Sequence, residues 1–196
     1  MRCLSLLEVE AMFTRPKFGV SLEHAWYRAA LHLEPALAAT QTRVAAEQPT
    51  DFGAIPHFVR RLNRWLPNHR PRLLWVDHWE FAAFEGVLES MVSAAWRGLG
   101  EARSLSQAPG LYLDSQDWEE DDQTAISPAQ KAEMGMLVGV AAMLMMTYSD
   151  GWLIADGCAD RIEFWEGHFF FHSDDPQKLS LAGAIIDESS CKRWAT

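Results

Sequence analysis

Arg161-Ile-Glu-Phe-Trp-Glu-Gly-His-Phe-Phe-Phe-His172 is the stretch that decides the fold, because its alternating side chains predict a β-hairpin turning at Glu166-Gly167. A two-residue loop at this point fixes the strand register. Trp165 then lies opposite His168, Phe164 opposite Phe169, and so on to Arg161 opposite His172. One face of the hairpin is then wholly apolar and must face the core. Its members are Ile162, Phe164, Phe169 and Phe171.

The second face of this hairpin mixes aromatic, cationic and anionic side chains, which is typical of an interface patch or of a partly covered second layer. The alternative is the solvated back of a sheet, and it stays open because single aromatic residues are common on protein surfaces. The residues of this face are Arg161, Glu163, Trp165, His168, Phe170 and His172.

Short β-like runs, separated by Asp156-Gly157 and Glu166-Gly167, predict an antiparallel meander around the hairpin. The tail over residues 179–186 is compatible with a further helix or strand. The runs cover residues 152–155, 161–165 and 168–172.

Helical patterns precede the meander, with Ser21 as an N-cap and Pro56 at the start of one helix. Residues 73–76 favour a short strand or the lead-in to the helix that begins at about residue 79, and residues 104–124 favour a loop. The predicted helices cover residues 22–33, 35–46, 56–66 and about 79–99.

Ser127-Pro128-Ala129-Gln130 has the pattern of a capping box and predicts a helix that runs to about Tyr148. Because this helix is apolar all round from Met134 to Met146, we expect it to be the central, most buried element. With 196 residues and 48% hydrophobic content, the chain is long enough for one sizeable core. We therefore predict an α+β fold: a helix-rich single domain over residues 1–196, helical over 20–148, with a C-terminal antiparallel β-meander over 152–173.

The acidic charge is concentrated in the second half of the chain. Residues 104–196 carry sixteen acidic against five basic side chains, whereas residues 1–103 carry eleven against twelve, so the net charge of −10 belongs to the second half. Summed surface charge steers association but does not choose an architecture. The asymmetry therefore predicts a basic partner.

Three distant cysteines, Cys3, Cys158 and Cys191, form no CxxC pair and fit a reducing compartment. Glu8 and Glu10 interrupt the amino-terminal apolar run before it reaches signal-peptide length. The longest apolar stretch, residues 134–146, is too short to span a bilayer. We expect a cytoplasmic protein that does not enter a membrane.

Asp77-His78-Trp79-Glu80 is the densest polar cluster, and His78-x-Glu80 matches half of the zinc deaminase signature. The Pro-Cys-x-x-Cys half is missing, so helix capping is the simpler interpretation. Glu85 falls on the apolar face of its predicted helix, where a raised pKa would suit an acid or a base, although most buried glutamates are structural. A small enzyme that uses Asp77, His78 and Glu85 remains an alternative.

Other signatures of catalysis or metal binding are incomplete. His168 and His172 lie about 13 Å apart along a strand, too far to share an ion. The tract Asp114–Asp122 lacks the glycine and terminal glutamate of an EF-hand loop. The chain has no phosphate-binding glycine loop, no GxSxG, no HExxH and no basic patch beyond the arginines around Arg61. We therefore predict no catalytic residue, metal, cofactor or nucleic-acid partner.

In its acidic tract Asp114–Asp122, its many tryptophans and its block from Asp150 to Asp175, the chain resembles the immunity proteins of bacterial polymorphic-toxin systems. The resemblance covers about half of the chain and implies tight binding to a cognate toxin, here a basic nuclease acting in the cytoplasm. A scaffold protein is a further alternative. The expected partner-binding residues are Asp114, Asp117, Trp118, Glu119, Glu120, Asp121, Asp122, Glu163, Trp165, His168, Phe170 and His172.

Overall fold

The structure, a computed structural model, describes residues 1–13, 18–21, 30–33, 42–51, 53–67, 70–79, 86–114 and 127–194. The strands are β1 (Arg2–Leu4), β2 (Phe18–Ser21), β3 (Ala30–Leu33), β4 (Thr42–Glu47), β5 (Arg72–His78), β6 (Gly110–Leu113), β7 (Asp150–Ala155), β8 (Arg161–Trp165), β9 (His168–Ser173) and β10 (Arg193–Trp194). The helices are α1 (Leu6–Met12), α2 (Ile55–Trp65), α3 (Val87–Gly98), α4 (Pro128–Met146) and α5 (Pro176–Glu188).

Eight of these strands form one antiparallel sheet in the order β1-β6-β5-β7-β8-β9-β4-β10. Strands β2 and β3 pair separately. Within the large sheet, β8 and β9 form the hairpin in the predicted register, with Trp165 opposite His168 and Phe164 opposite Phe169. The prediction of the hairpin and of the antiparallel meander β7-β8-β9 is confirmed.

The predicted apolar face of the hairpin is buried, as its alternation requires. Ile162, Phe164, Phe169 and Phe171 are each at most 3% exposed. Rings of α2 lie on this face: the Phe58 and Phe169 centroids are 4.6 Å apart, and those of Trp65 and Phe171 are 4.9 Å apart. We call this side of the sheet the inner face; it carries the main core, to which α2, α4 and α5 contribute.

The opposite side of the sheet, the outer face, is covered at one end by α1. Ser5 caps this helix: its side chain accepts from Glu8 N–H, while Glu8 accepts from the Ser5 backbone N–H. Arg103 donates to Glu8 at 2.7 Å and to Glu101 at 2.6 Å, which ties the helix to the loop after α3. The second core beneath α1 consists of Leu4, Val9, Phe13, Leu73, Trp75, Tyr112 and Ile154.

Docking of α1 should be sensitive to acid through Glu8. The hydrogen bonds from the Ser5 backbone and from Arg103 lower the pKa of Glu8 from 4.5 to about 2. The stabilisation is fully present above the unfolded-state value of 4.5 and is lost as the pH falls towards 2, because the unfolded chain takes up the proton first. We expect Glu8→Gln to destabilise the protein at pH 6 and to approach wild type by pH 2, as measured by urea unfolding.

A matched control for this effect lies on the same helix. Glu10 is exposed, so Glu10→Gln should differ from wild type by a similar small amount across this pH range. An unfolding free-energy gap between wild type and Glu8→Gln that is the same at pH 6 and at pH 2 would contradict the assigned role of Glu8.

A buried arginine closes the carboxyl-terminal end of α2. Arg72 on β5 is fully buried, and its guanidinium donates to the Asn63 side chain at 3.0 Å. It also donates to the carbonyls of Pro67 at 2.7 Å and Arg70 at 2.8 Å. Burial lowers the pKa of Arg72 to about 10, so the group still carries its charge at neutral pH. The positive charge therefore satisfies acceptors that follow the helix end.

The predicted helix-rich domain with a central buried helix is wrong, because the eight-stranded sheet dominates the fold. Residues 30–33 and 42–46, predicted to be helical, lie in β3 and β4, and the predicted loop contains β6. Ala45 and Ala46 are both buried although they point to opposite faces of the sheet. An apolar run that is buried on both sides has no clean period of two, so its sequence resembles a buried helix.

Several predicted helices are present with adjusted bounds. The helix over 56–66 appears as α2, and Ser127 with Gln130 forms the predicted capping box at the start of α4. That helix packs on the inner face and leaves Gly135 and Gly139 exposed, so it does not form the centre of the molecule. Helix α3 covers residues 87–98 of the helix predicted from about 79 to 99; residues 80–85 lie outside the described residues. The tail predicted as helix or strand is α5.

Candidate interaction surface

Beyond α1, the outer face presents two rows of side chains that the strand register sets side by side. The first row runs across β10, β4, β9, β8 and β7, with Ala45 at its β4 position, and the second runs across β4, β9 and β8. Aromatic and charged residues from five strands therefore lie side by side on this face. The first row holds Trp194, Phe170, Glu163 and Trp152, and the second holds Arg43, His172 and Arg161.

Four rings at the β10 end form a cluster that we call the aromatic patch: Trp165, His168, Phe170 and Trp194. The Trp165 and Trp194 centroids are 6.4 Å apart, and the planes are tilted by 37°. His168 stacks on Trp194 at 4.2 Å, and Phe170 lies 5.5 Å from Trp194. Trp165 is 41% and Trp194 38% exposed, whereas Phe170 is 1% exposed. The patch is thus a buried phenyl floor with two exposed indoles above it.

A tight turn positions the Trp165 side of the patch. Glu166 has φ 46° and Gly167 φ 78°, as a two-residue hairpin loop requires. A Cβ at Gly167 would lie 2.5 Å from the Tyr148 ring, so only glycine fits there. The Glu166 N–H donates to Asp150 at 3.0 Å, and the Gln48 N–H donates to the Gly167 carbonyl at 2.9 Å. The turn is therefore held from both neighbouring strands.

The Trp194 side depends on ion pairs around the short strand β10. Arg193 donates to both carboxylate oxygens of Asp187 on α5, at 2.9 and 2.7 Å. Lys192 pairs with Glu47 at 2.6 Å, and the Glu47 N–H donates to the Lys192 carbonyl at 2.8 Å. Together with the pairing of Trp194 opposite Ala45, these contacts place the Trp194 ring on the outer face.

Two arginines lie over aromatic rings of the same face. The Arg43 guanidinium carbon is 4.8 Å from the Phe170 centroid, and that of Arg161 is 5.5 Å from the Trp152 centroid. Arg161 is 3% exposed, and burial lowers its pKa to about 10. Arg43 by contrast is exposed. Guanidinium–aromatic stacking is thus a recurring contact on this face.

His172 and Glu163 form a partly buried pair on the outer face. The His172 Nε2 atom lies 2.8 Å from a Glu163 carboxylate oxygen. Burial lowers the pKa of His172, against the opposing effect of Glu163, so the imidazole is predominantly neutral at neutral pH. His172 is 9% exposed and lies 5.9 Å from the Trp152 ring. Because His172 is buried beside Trp152, the pair helps to position the residues of the outer face and is not itself a main exposed contact.

Asp77, a candidate acid or base in the sequence, holds two tryptophans. One carboxylate oxygen accepts from the Trp75 indole N–H and the other from the Trp152 indole N–H, each at 2.8 Å. Asp77 therefore holds the Trp152 ring in place. This ring lies between the part of the outer face that α1 covers and Arg161. His78 lies at the end of the same strand, opposite Asp150. Glu80 and Glu85, the other members of that hypothesis, lie outside the described residues.

A second polar cluster lies near the start of α5. Asp160 accepts from Ser173 at 2.6 Å, Lys178 at 2.5 Å and the Cys158 thiol at 3.2 Å. Although burial opposes it, these hydrogen bonds hold the pKa of Asp160 below its ordinary value. Burial and Asp160 raise the pKa of Cys158 to about 11, which keeps the thiol protonated and a poor nucleophile.

The structure brings together part of the predicted partner-binding set. Glu163, Trp165, His168, Phe170 and His172 all lie on the outer face, as the register requires. Trp165 is exposed and His168 half-buried, but Phe170 and His172 are buried and cannot be primary contacts. The interpretation as a partly covered second layer therefore fits these two residues.

The acidic tract is described only at its first residue. Asp114 is exposed directly after β6, where the Tyr112 hydroxyl approaches it at 3.5 Å. The remaining predicted residues, Asp117 to Asp122, lie outside the described residues.

Among the members of this surface that sequence reasoning missed are Arg43 and Trp194. Both lie on strands whose partners are distant in the chain: β4 pairs with β9, and β10 pairs with β4. Strand β10 has only two residues, too few for any periodicity. The alternation of Arg43 and Ala45 was the one available signal, and the alanine-rich context favoured a helix instead.

Within the described ranges, no helix combines the length and apolar character needed to cross a bilayer. The described histidines, cysteines and carboxylates do not form a group of three that could hold a metal ion. Comparison of the chain with protein-family models, with curated proteins and with solved structures gave no match.

Proposed function

We propose that this protein is an immunity protein that neutralises a cognate basic toxin, a nuclease acting in the cytoplasm, by binding it directly. The observation that carries the proposal is the aromatic patch, in which Trp165 and Trp194 are exposed side by side above the buried Phe170 ring. Exposed tryptophans that are fixed before binding supply large contact areas at low entropic cost. Such rings are enriched among the residues that dominate binding energy.

Charge supplies the second part of the proposal. The chain carries a net charge of −10, and a nuclease needs a basic surface to hold phosphates. An acidic inhibitor that covers this surface would speed association and block substrate access together. The tract Asp114–Asp122 is the proposed long-range electrostatic contact, and the aromatic patch the short-range anchor.

The test is retention of a basic protein from the native host on the immobilised chain, followed by reconstitution of the identified pair. We expect Trp165→Ala with Trp194→Ala to weaken binding about tenfold or more, since both are hot-spot candidates. Association should slow as salt rises, because the attraction is between net charges. Neutralising four acidic residues together to Asn or Gln should lower affinity mainly through slower association. These residues are Asp117, Glu119, Glu120 and Asp121.

Leu181 on α5 provides the matched control, because it is 61% exposed and lies away from the outer face. Leu181→Ala should bind like wild type. Retention of no basic protein, or of one that the double tryptophan variant binds and inhibits as well as wild type does, would overturn the proposal.

A further inference from the structure

Tyr148 has an unusual backbone conformation at the end of α4. The helix ends in a Schellman motif, in which the Ser149 N–H donates to the Leu144 carbonyl at 2.9 Å. The Tyr148 N–H donates to the Met145 carbonyl at 3.3 Å, and Tyr148 has the left-handed φ of 57° that this motif requires. Glycine or asparagine is usual at this position, because a bulky side chain is disfavoured there by its Cβ. A tyrosine therefore destabilises this helix end relative to glycine.

The Tyr148 side chain forms few contacts that would offset this strain. It is 58% exposed, and within the described part of the chain its hydroxyl has no hydrogen-bond partner. The ring lies against the backbone of Gly167, where a Cβ would be 2.5 Å from two of the ring carbons. The fold thus holds an exposed ring in a strained conformation above the hairpin turn. Strain of this kind collects at functional sites.

Tyr148 belongs to a group of exposed aromatic rings around one turn. Among the side chains that the structure describes, the exposed tyrosines and tryptophans are Tyr148, Trp165 and Trp194. Trp165 immediately precedes the turn, and the Tyr148 ring lies on the second turn residue. The ring centroids of Trp194 and Trp165 are 6.4 Å apart. Exposed apolar rings that collect in one place indicate an interaction site, whereas rings scattered singly do not.

The alternative is a purely structural role, in which the Tyr148 ring shields the hydrogen bonds that hold the turn. These bonds run from the Glu166 N–H to the Asp150 carboxylate and from the Gln48 N–H to the Gly167 carbonyl. Neither bond involves an atom of Tyr148, so both are kept when the ring is removed. Glycine at position 148 would also suit the helix end better than tyrosine. Stability therefore favours glycine at this position, whereas contact with a partner favours the ring.

We infer that Tyr148 is a contact residue for the basic partner, and that the interface extends from the aromatic patch around the hairpin turn. The inference rests on the proposed function for the identity of the partner, and on the strained, exposed ring for the place of contact. Tyrosine combines a large rigid ring with a polar hydroxyl and is enriched at protein interfaces. The partner has to reach past Glu166-Gly167 to contact both Trp165 and Tyr148.

Two variants measure what the ring contributes to the free protein. Tyr148→Ala removes the ring but keeps the Cβ, whereas Tyr148→Gly removes both and relieves the strain. The unfolding equilibrium constant of Tyr148→Gly should be about fivefold lower than that of Tyr148→Ala, as measured by urea unfolding. It should also be no more than about fivefold above the wild-type constant, because the ring is largely exposed. A larger increase would make the ring structural and overturn the inference.

Photocrosslinking locates the contact before the partner is known. Tyr148 is replaced by the photoreactive amino acid p-benzoylphenylalanine, and so are Trp165 and the control Leu181, which is 61% exposed. After irradiation of the native host, we expect adducts of one and the same basic protein from positions 148 and 165, and none from position 181. With that protein purified, Tyr148→Gly should bind about fivefold or more weakly, whereas Tyr148→Phe should bind like wild type because it keeps the ring.

The outcomes separate this inference from the proposed function. Adducts from position 165 without adducts from 148 would overturn the contact at Tyr148 and leave a captured basic toxin unaffected. Adducts of one non-basic protein from both positions would uphold the extended contact surface and contradict the proposed function. Adducts of the same protein from position 181 as well would show no preferred surface and overturn the inference. The absence of adducts from 148 and 165 alike would contradict both.

Discussion

Phe169→Ala should remove about 3–5 kcal/mol from the free energy of unfolding, the usual cost of truncating a fully buried phenylalanine. Phe169 is 0% exposed and packs against Phe58 at 4.6 Å and Phe171 at 5.6 Å. The substitution leaves a cavity between the sheet and α2, which the neighbouring rings can fill only in part. Equilibrium unfolding in urea, monitored by circular dichroism, measures the loss.

Trp165 is the control for this prediction, since it precedes the same turn but points to the outer face. Trp165→Ala should change stability by less than about 1 kcal/mol, because the ring is 41% exposed. The pair thus tests the orientation of the hairpin. A silent Phe169→Ala together with an unfolded Trp165→Ala would mean that the two faces are exchanged.

Arg72→Met should cost about 2–4 kcal/mol, because it removes one buried donor group and leaves one buried and two partly buried acceptors without their partner. The Pro67 and Arg70 carbonyls and the Asn63 side chain would all lose their donor. Methionine fills most of the space, so the loss reports hydrogen bonding more than packing. Chemical denaturation at neutral pH provides the measurement.

Arg70→Ala is the matched control, because Arg70 is exposed and its backbone carbonyl, which Arg72 uses, is kept. This variant should stay within about 0.5 kcal/mol of wild type. If Arg72→Met were as stable as wild type, the prediction would be wrong, and water would be able to replace the guanidinium at the end of α2.

Local sequence signals sufficed for elements that are stabilised by near neighbours. The hairpin register follows from a two-residue turn and strict alternation, and α4 begins at the predicted capping box. The rest of the sheet could not be predicted in this way. Strand β6 is buried along its whole length and β4 carries adjacent buried alanines, so neither shows an alternation that a reader of the sequence could recognise.

The candidate surface could likewise be predicted only where local sequence determines which residues lie together. The sequence predicts Trp165 and His168 as neighbours because the hairpin places them on one face. The partner ring, Trp194, reaches them only through the pairing of β10 with β4 and of β4 with β9, which no local pattern encodes. Exposure within the face also depends on neighbouring strands, since Phe170 and His172 are buried while Trp165 is not.

The strand order has a kinetic consequence. Among the described strands of the large sheet, the meander pairs β7 with β8 and β8 with β9 across short connections, whereas β5 pairs with β6 and β7, and β4 with β9, across long intervening segments. Non-local pairing must close large loops before it gains contacts, so we expect folding on the millisecond-to-second scale, beginning at the meander. Trp194 joins Trp165 only after β4 and β10 have added to the sheet. A chain that has not finished folding therefore lacks the complete aromatic patch. Formation of the patch marks the completion of the native fold.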